Sequence, residues 1–235
     1  MKKISHFTIM LLVLLLMACN KNNSNANANI TQSNAANNLL ADINTTGEMP
    51  IAKIGNQRWM SSNLNVSRYR NGDRIPQVTN PAKWAALTTG AWCWHNNDSL
   101  AGTVYGKIYN WHAVNDPRGL APAGWHIPTD AEWTTLINTL GGNLVAGGKM
   151  KETGLAHWSA PNTNATNSSG FTGLPGGNRY NNGQFLYFRI YGWGWSANTD
   201  SSGLPLYYRL NYNDGTVFRG AADKRDGLSV RCVKD

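Results

Sequence analysis

The sequence predicts an α+β domain, and three observations carry that expectation. Two short apolar runs flank a Gly55-Asn56 pair, the segment from Asp130 to Leu140 repeats its apolar positions with a helical period, and the last third breaks into short aromatic and β-branched segments separated by Gly, Asn and Asp. A few helices set among local hairpins, with no strand–helix–strand alternation, read as α+β. Only 14% of the 235 residues are charged, which excludes a coiled coil or a charged disordered chain. The 24 glycines show no every-third-residue repeat, so a collagen helix is excluded as well.

The elements follow in order. Lys2 and Lys3 precede an uninterrupted apolar run from Ile9 to Ala18, which is about half the length a membrane-spanning helix requires. Residues 1–18 therefore read as an export signal. The run ends Leu16-Met17-Ala18-Cys19, which resembles a bacterial lipobox, with Met17 an unusual residue in it. That resemblance implies cleavage before Cys19 and acylation of its thiol and new amino group; the alternative is an ordinary secretory peptide with an incidental cysteine. Several acyl chains hold a protein firmly where one is marginal. The expected location is the outer membrane of a bacterium, lipid-anchored, with the cell surface and the periplasmic face both open.

Residues 19–47 form an Asn-rich tether with two charges, Lys21 and Asp42, and no aromatic residue. Such a segment buries too little apolar surface to offset its ordering entropy. Its length corresponds to roughly 30 Å root-mean-square as a flexible chain. Residues 48–235 then read as one domain. Ile51–Ile54 and Gln57–Met60 make a hairpin, because Gly55 and Asn56 both tolerate positive φ. Asn80 caps a short helix with Pro81 at its first position. Thr129 caps the helix from Asp130 to Leu140, Glu132 closes a capping box, and Trp133, Leu136, Ile137 and Leu140 form one apolar stripe. Gly141-Gly142 stops it, and a second short helix follows at 144–151. Segments 184–191, 206–212, 216–219 and 228–233 read as antiparallel strands.

Lys+Arg 21 against Asp+Glu 13 gives a formal charge of +8, falling to 19 basic against 13 acidic residues once Lys2 and Lys3 leave with the signal. No run of Lys and Arg exceeds two, and an exported lipoprotein meets no nucleic acid, so no nucleic-acid partner is expected. The partners expected instead are the membrane, through the lipid, and a glycan or protein ligand in the envelope.

A set of sequence words carries a family resemblance. Gly55-Asn56-Gln57-Arg58-Trp59-Met60, Tyr105-Gly106-Lys107-Ile108-Tyr109-Asn110-Trp111, Pro122 through Trp133 (PAGWHIPTDAEW), Gly170-Phe171-Thr172-Gly173-Leu174-Pro175-Gly176-Gly177, Trp195-Ser196 and Leu228-Ser229-Val230-Arg231-Cys232 follow one another along residues 50–235. Together they resemble the Fibrobacter succinogenes major paralogous domain. Pro128 to Trp133 and the closing strand are also similar to the formylglycine-generating enzyme superfamily. The resemblance implies a C-type-lectin-like fold of the sulfatase-modifying-factor kind, on an exported bacterial protein whose family has no established biochemical role.

With Cys19 acylated, Cys93 and Cys232 remain as an even pair in an oxidising compartment, which predicts a disulfide. On the chain-entropy model it would contribute ~4–5 kcal/mol. The alternative is two separately buried thiols. Formylglycine-generating chemistry needs a close pair of reactive cysteines late in the chain, and only Cys232 stands there, so that activity is not expected.

Asp130 and Glu132 point about 200° apart on a helix and cannot work as a pair. Asp214, Asp223 and Asp226 sit in turn-like sequence, where Asp is ordinary. His95, His112, His126 and His157 show no i, i+4 spacing and no neighbouring cysteine, so no metal site is expected among them. No cofactor is expected; a structural calcium held by loop oxygens is the one ion left open.

The aromatics are the remaining signal. Trp195 belongs to a family word and is expected in the core. Trp193, between Gly192 and Gly194, and Tyr207, Tyr208, Arg209, Tyr212 and Asn213 are the candidate ligand-binding residues, with Trp193 and one of Tyr207 or Tyr208 exposed on one concave face. The expected function is a lipid-anchored binding module rather than an enzyme. An enzyme of unrecognised type and a purely structural envelope protein are the alternatives.

Overall fold

The computed structural model describes residues 50–235. The export signal, Cys19 and the tether lie outside the described residues.

The first hairpin forms as read, with β1 (Ile51–Ile54) paired to β2 (Gln57–Met60) in the register Ile51↔Met60 and Ile54↔Gln57. Gly55 adopts φ 59° at the turn. Helix α1 (Pro81–Ala85) starts where Asn80 Oδ1 accepts from the Lys83 N–H at 2.9 Å. Strand β3 (Trp92–Cys93) precedes α2 (Ser99–Tyr105), β4 (Ile108–Asn110), the single turn α3 (Trp111–Val114) and β5 (Trp125–His126). Helix α4 (Asp130–Thr139) carries the complete capping box, and Trp133, Leu136 and Ile137 face inward. Helix α5 (Asn143–Met150) follows directly.

The last third supplies β6 (Asn178–Arg179), β7 (Phe185–Leu186), β8 (Tyr191–Thr199), β9 (Pro205–Asn211), β10 (Val217–Ala221), β11 (Gly227–Leu228) and β12 (Val233–Lys234). They join three sheets, ordered β1-β2-β12-β5, β10-β9-β8 and β3-β4-β11-β6-β7, and every pairing between these strands is antiparallel. The domain is thus α+β, with few short helices. The strand expected at 184–191 is cut short at Leu186, because Tyr187 and Arg189 turn the chain at φ 60° and 63°. The strand expected at 228–233 divides, its two ends serving different sheets.

Two core clusters position the sheet β10-β9-β8. One face packs on α4 and α5 through Trp133, Met150, Tyr208, Leu210 and Val217. The other begins under a cluster holding Tyr109, Trp111, Trp195, Leu228 and Cys232, with Trp193 and Tyr207 at its margin. Gly192 and Gly194 lie inside β8, not in a loop. A Cβ on Gly194 would stand 2.7 Å from the Trp133 ring, and one on Gly192 2.7 Å from the Leu174 carbonyl. The glycines let helix and loop close onto the strand; they do not extend a loop toward solvent.

The long loops are held by buried cations. The Lys151 ammonium donates to the carbonyls of Thr163, Asn211 and Asp214, each at 2.8 Å. Arg179 donates to Gly183, Val78 and Thr79, and Arg231 to Phe171, Thr172 and the Asn63 side chain. All three side chains are inaccessible or nearly so. Part of the net positive charge is therefore interior.

The disulfide expected between Cys93 and Cys232 is not formed. Both are free, buried thiols. Cys93 packs with Trp84 and Ile108, whereas Cys232 belongs to the cluster around Trp195. Each fills its own part of the core, the alternative that the cysteine count left open.

Candidate functional site

The aromatic face of β8-β9-β10 is built by strand register. Trp193 pairs with Arg209, and Arg209 with Phe218, so all three side chains share one face. Tyr191 lies two residues before Trp193 and Tyr207 two before Arg209, on the same side. The rings run in contact: Tyr187 to Tyr191 at 4.8 Å between centroids, Tyr191 to Trp193 at 5.7 Å, Trp193 to Tyr207 at 4.9 Å and Tyr207 to Phe218 at 6.2 Å. Tyr187 and Phe218 are exposed at 45% and 46%, while Tyr191, Trp193 and Tyr207 are half-buried.

Arg209 sits in the middle of this strip. Its Cζ lies 4.3 Å from the Tyr191 ring centroid, 4.6 Å from that of Phe218 and 5.5 Å from that of Trp193. Arg209 Nε and Trp193 Nε1 are both covered and without a hydrogen-bond partner. Asp226, buried nearby, has an unpartnered Oδ1, and burial pushes its carboxyl up to about 6. Burial likewise raises the Tyr207 hydroxyl, against the lowering by the Arg209 charge.

The structure therefore brings Trp193, Tyr207 and Arg209 together and separates the other candidates from them. Tyr208 is buried on the opposite face, stacked on Trp133 at 4.8 Å, with its hydroxyl donating to Asp130 at 2.6 Å. Alternation places Tyr207 and Tyr208 on opposite sides, and α4 covers the side that Tyr208 takes. Tyr212 follows β9 and packs against the second core cluster. Asn213 is exposed in the next turn. Trp195 is fully buried, as its place in a family word implies, and donates to the Tyr109 carbonyl at 2.8 Å. Sequence reasoning missed Tyr187, Tyr191 and Phe218, although Tyr191 precedes Trp193 by one strand period.

The polar clusters elsewhere are accounted for structurally. Asp130, beyond its place at a helix start, binds Arg219 through both carboxylate oxygens at 2.7 and 3.0 Å. His126 bridges Asp235 and Glu132, each at 2.7 Å. His157 meets Glu152 at 2.8 Å, and His95 stacks on Phe188. Burial brings His95 down to about 4. Among the described residues no group of three or more His, Cys, Asp or Glu is arranged to hold a metal ion, and no helix is long and apolar enough to cross a membrane. An open cleft of about 600 Å³ lies beside His112, Lys224 and Arg225, but Asp223 neutralises Arg225 through paired contacts at 2.9 and 2.7 Å. A small cavity behind Trp193, bordered by Trp133, Gly194 and Tyr208, has a volume of about 20 Å³, space for about one water.

The His126 bridge makes a pH prediction. Burial pushes its imidazole down, but the hydrogen bonds it donates to Asp235 and Glu132 outweigh that and hold the pKa above its usual 6.5. A raised folded pKa gives stability that is complete below about 6.5 and lost as pH rises through the folded value. Thermal melts from pH 6 to 8 are expected to fall by an amount equivalent to ~0.5 kcal/mol, the scale of a half-exposed pair. In His126→Gln that fall should vanish; an unchanged slope would locate the effect elsewhere.

These features define a compact class: an α+β domain with loops pinned from inside and one sheet face lined by rings around an arginine. The sequence matches the family model of the Fibrobacter succinogenes major domain over residues 52–234, and the chain belongs to that family. Neither a curated relative nor a solved structure matches it.

Proposed function

We propose that this chain is a lipid-anchored bacterial envelope protein whose domain is a binding module, engaging a glycan or protein ligand through the aromatic face of β8-β9-β10. One observation carries the reading: an arginine without an acceptor among the described residues, framed by the half-buried rings of Tyr191 and Trp193 and the nearly half-exposed ring of Phe218, on a sheet. Rings offer large contact area at small entropic cost, and Trp, Tyr and Arg are the residues that dominate binding hot spots. The lectin-like fold of the sulfatase-modifying-factor kind is the finer architecture we propose, on the strength of the sequence words. Catalysis is the less favoured reading. Burial pushes the Cys93 thiol up to about 12 and raises Cys232 likewise, opposite to what a nucleophilic cysteine needs.

The test of binding is a glycan-array and pull-down screen with residues 48–235, wild type against Trp193→Ala. The variant is expected to keep its circular dichroism spectrum and lose at least tenfold in capture. Equal capture by both proteins would remove the face from consideration. For anchoring, Cys19→Ala is expected to move the protein from the membrane to the soluble fraction and to abolish labelling by a fatty-acid analogue. Persistent labelling of the variant would refute Cys19 as the acylation site.

A further inference from the structure

We propose that the aromatic face takes an acidic glycan, a chain containing hexuronate residues, whose carboxylate is received by the Arg209 guanidinium between Tyr191 and Phe218. The inference rests on the reading of this face as a binding surface and names the ligand class.

Three other arginines on the domain's surface are matched by carboxylates. Arg118 is neutralised by Asp116 and Asp73, Arg219 by Asp130 and Arg225 by Asp223. Arg209 donates to no acceptor among the described residues. Its plane is fixed by the two rings at 4.3 and 4.6 Å, and its Nε edge is covered, so the Nη edge is the one left to meet a ligand. The indole N–H of Trp193, whose ring lies 5.5 Å from the guanidinium, is a second donor with no acceptor. The Trp193 N–H is covered, so the Nη edge of the guanidinium is what a ligand meets, and an edge made only of donors calls for a group that accepts hydrogen bonds. A planar carboxylate fits a guanidinium edge through two parallel hydrogen bonds.

The surroundings favour a sugar as the bearer of that carboxylate. The flat ring faces of Tyr187 and Phe218, nearly half exposed, offer apolar area to the C–H face of a pyranose. The hydroxyls of Tyr187, Tyr191 and Tyr207 have no partner among the described residues, and a sugar's rim of hydroxyls pairs with such groups. Asp226 lies near Tyr207, and its own interactions run to Asn181, Asp223 and Arg225.

The test uses the full-length protein in detergent, titrated by calorimetry with galacturonate and mannuronate tetramers, the methyl ester of the galacturonate tetramer, cellotetraose and a polyglutamate peptide. At least one acidic tetramer is expected to bind, the methyl ester of a bound galacturonate tetramer at least tenfold more weakly, and Arg209→Met is expected to lose at least tenfold for the acid while keeping the wild-type melting temperature. Arg209→Lys should recover part of that loss. If cellotetraose and the ester bind as tightly as the acids, and Arg209→Met changes nothing, the acidic class is wrong while the binding face stands. If polyglutamate binds and no saccharide does, the ligand is an acidic protein and the proposal falls. If neither uronate binds, it falls too.

Discussion

Truncating Trp195 to alanine is expected to destabilise the domain by about 4 kcal/mol, the range for a fully buried Trp. The side chain has no solvent exposure, its indole donates to the Tyr109 carbonyl at 2.8 Å, and its own carbonyl receives the Trp133 indole at 3.3 Å. One substitution therefore opens a cavity in the cluster that joins β8 to β4 and removes the indole donor to the Tyr109 carbonyl. Trp193→Ala, two residues earlier on the same face, is expected to lose about 1–2 kcal/mol, because its ring is only half-buried and its N–H makes no bond to lose. Denaturant melts of the two variants check this. Similar losses in both would mean that Trp193 is a core residue, and the binding face would lose its centre.

The second large effect is expected at Lys151. Its three protons meet three backbone carbonyls at 2.8 Å, and burial lowers its pKa only to about 8, so it remains mostly charged at pH 7. Lys151→Met keeps the length of the side chain and removes the donors. The carbonyls of Thr163, Asn211 and Asp214 would then face a methyl group. Hydrogen bonds to charged groups are worth about 1.5–3 kcal/mol each, and three that share one donor are not additive, so a loss of about 3–5 kcal/mol is expected. The measurement is equilibrium unfolding in urea. A loss below about 1 kcal/mol would show that water replaces the ammonium at no cost.

The local signals in the sequence were readable because they act within a few residues. Asn80 and Thr129 cap their helices through bonds three positions away, and the Gly55-Asn56 turn fixes its own hairpin. Helix α2 was equally readable in principle, since Asp98 caps it and Gly106 ends it with positive φ, yet its apolar residues Leu100 and Val104 face solvent and blur the period. The three-sheet topology was not legible: β3, β5, β6, β7, β11 and β12 have two residues each, too short for any alternation. Strand β8 was half hidden because Gly192 and Gly194 occupy its inward positions where apolar side chains normally stand. The aromatic face was legible as composition but not as geometry. Tyr207 and Tyr208 had to lie on opposite sides, and only the docking of α4 decides which side is covered. The cysteine pair misled because an even count says nothing about proximity.

The cations that pin the loops bind main-chain carbonyls, and those are the same whatever residues a loop carries. Lys151 holds the chain at Thr163, Arg231 holds it at Phe171 and Thr172, and Arg179 holds it at Gly183. Some side chains between those points are fixed as well, Asn167 by Thr172 and Ser169 by the Lys149 carbonyl. The fold can still accept new loop sequences while its frame stays in place, in the way a loom holds fixed warp under any weft. A single framework of this kind can present different surfaces, and the turn at 180–182, between Arg179 and its anchor at Gly183, is a place where altered sequences can be introduced while that anchor stays.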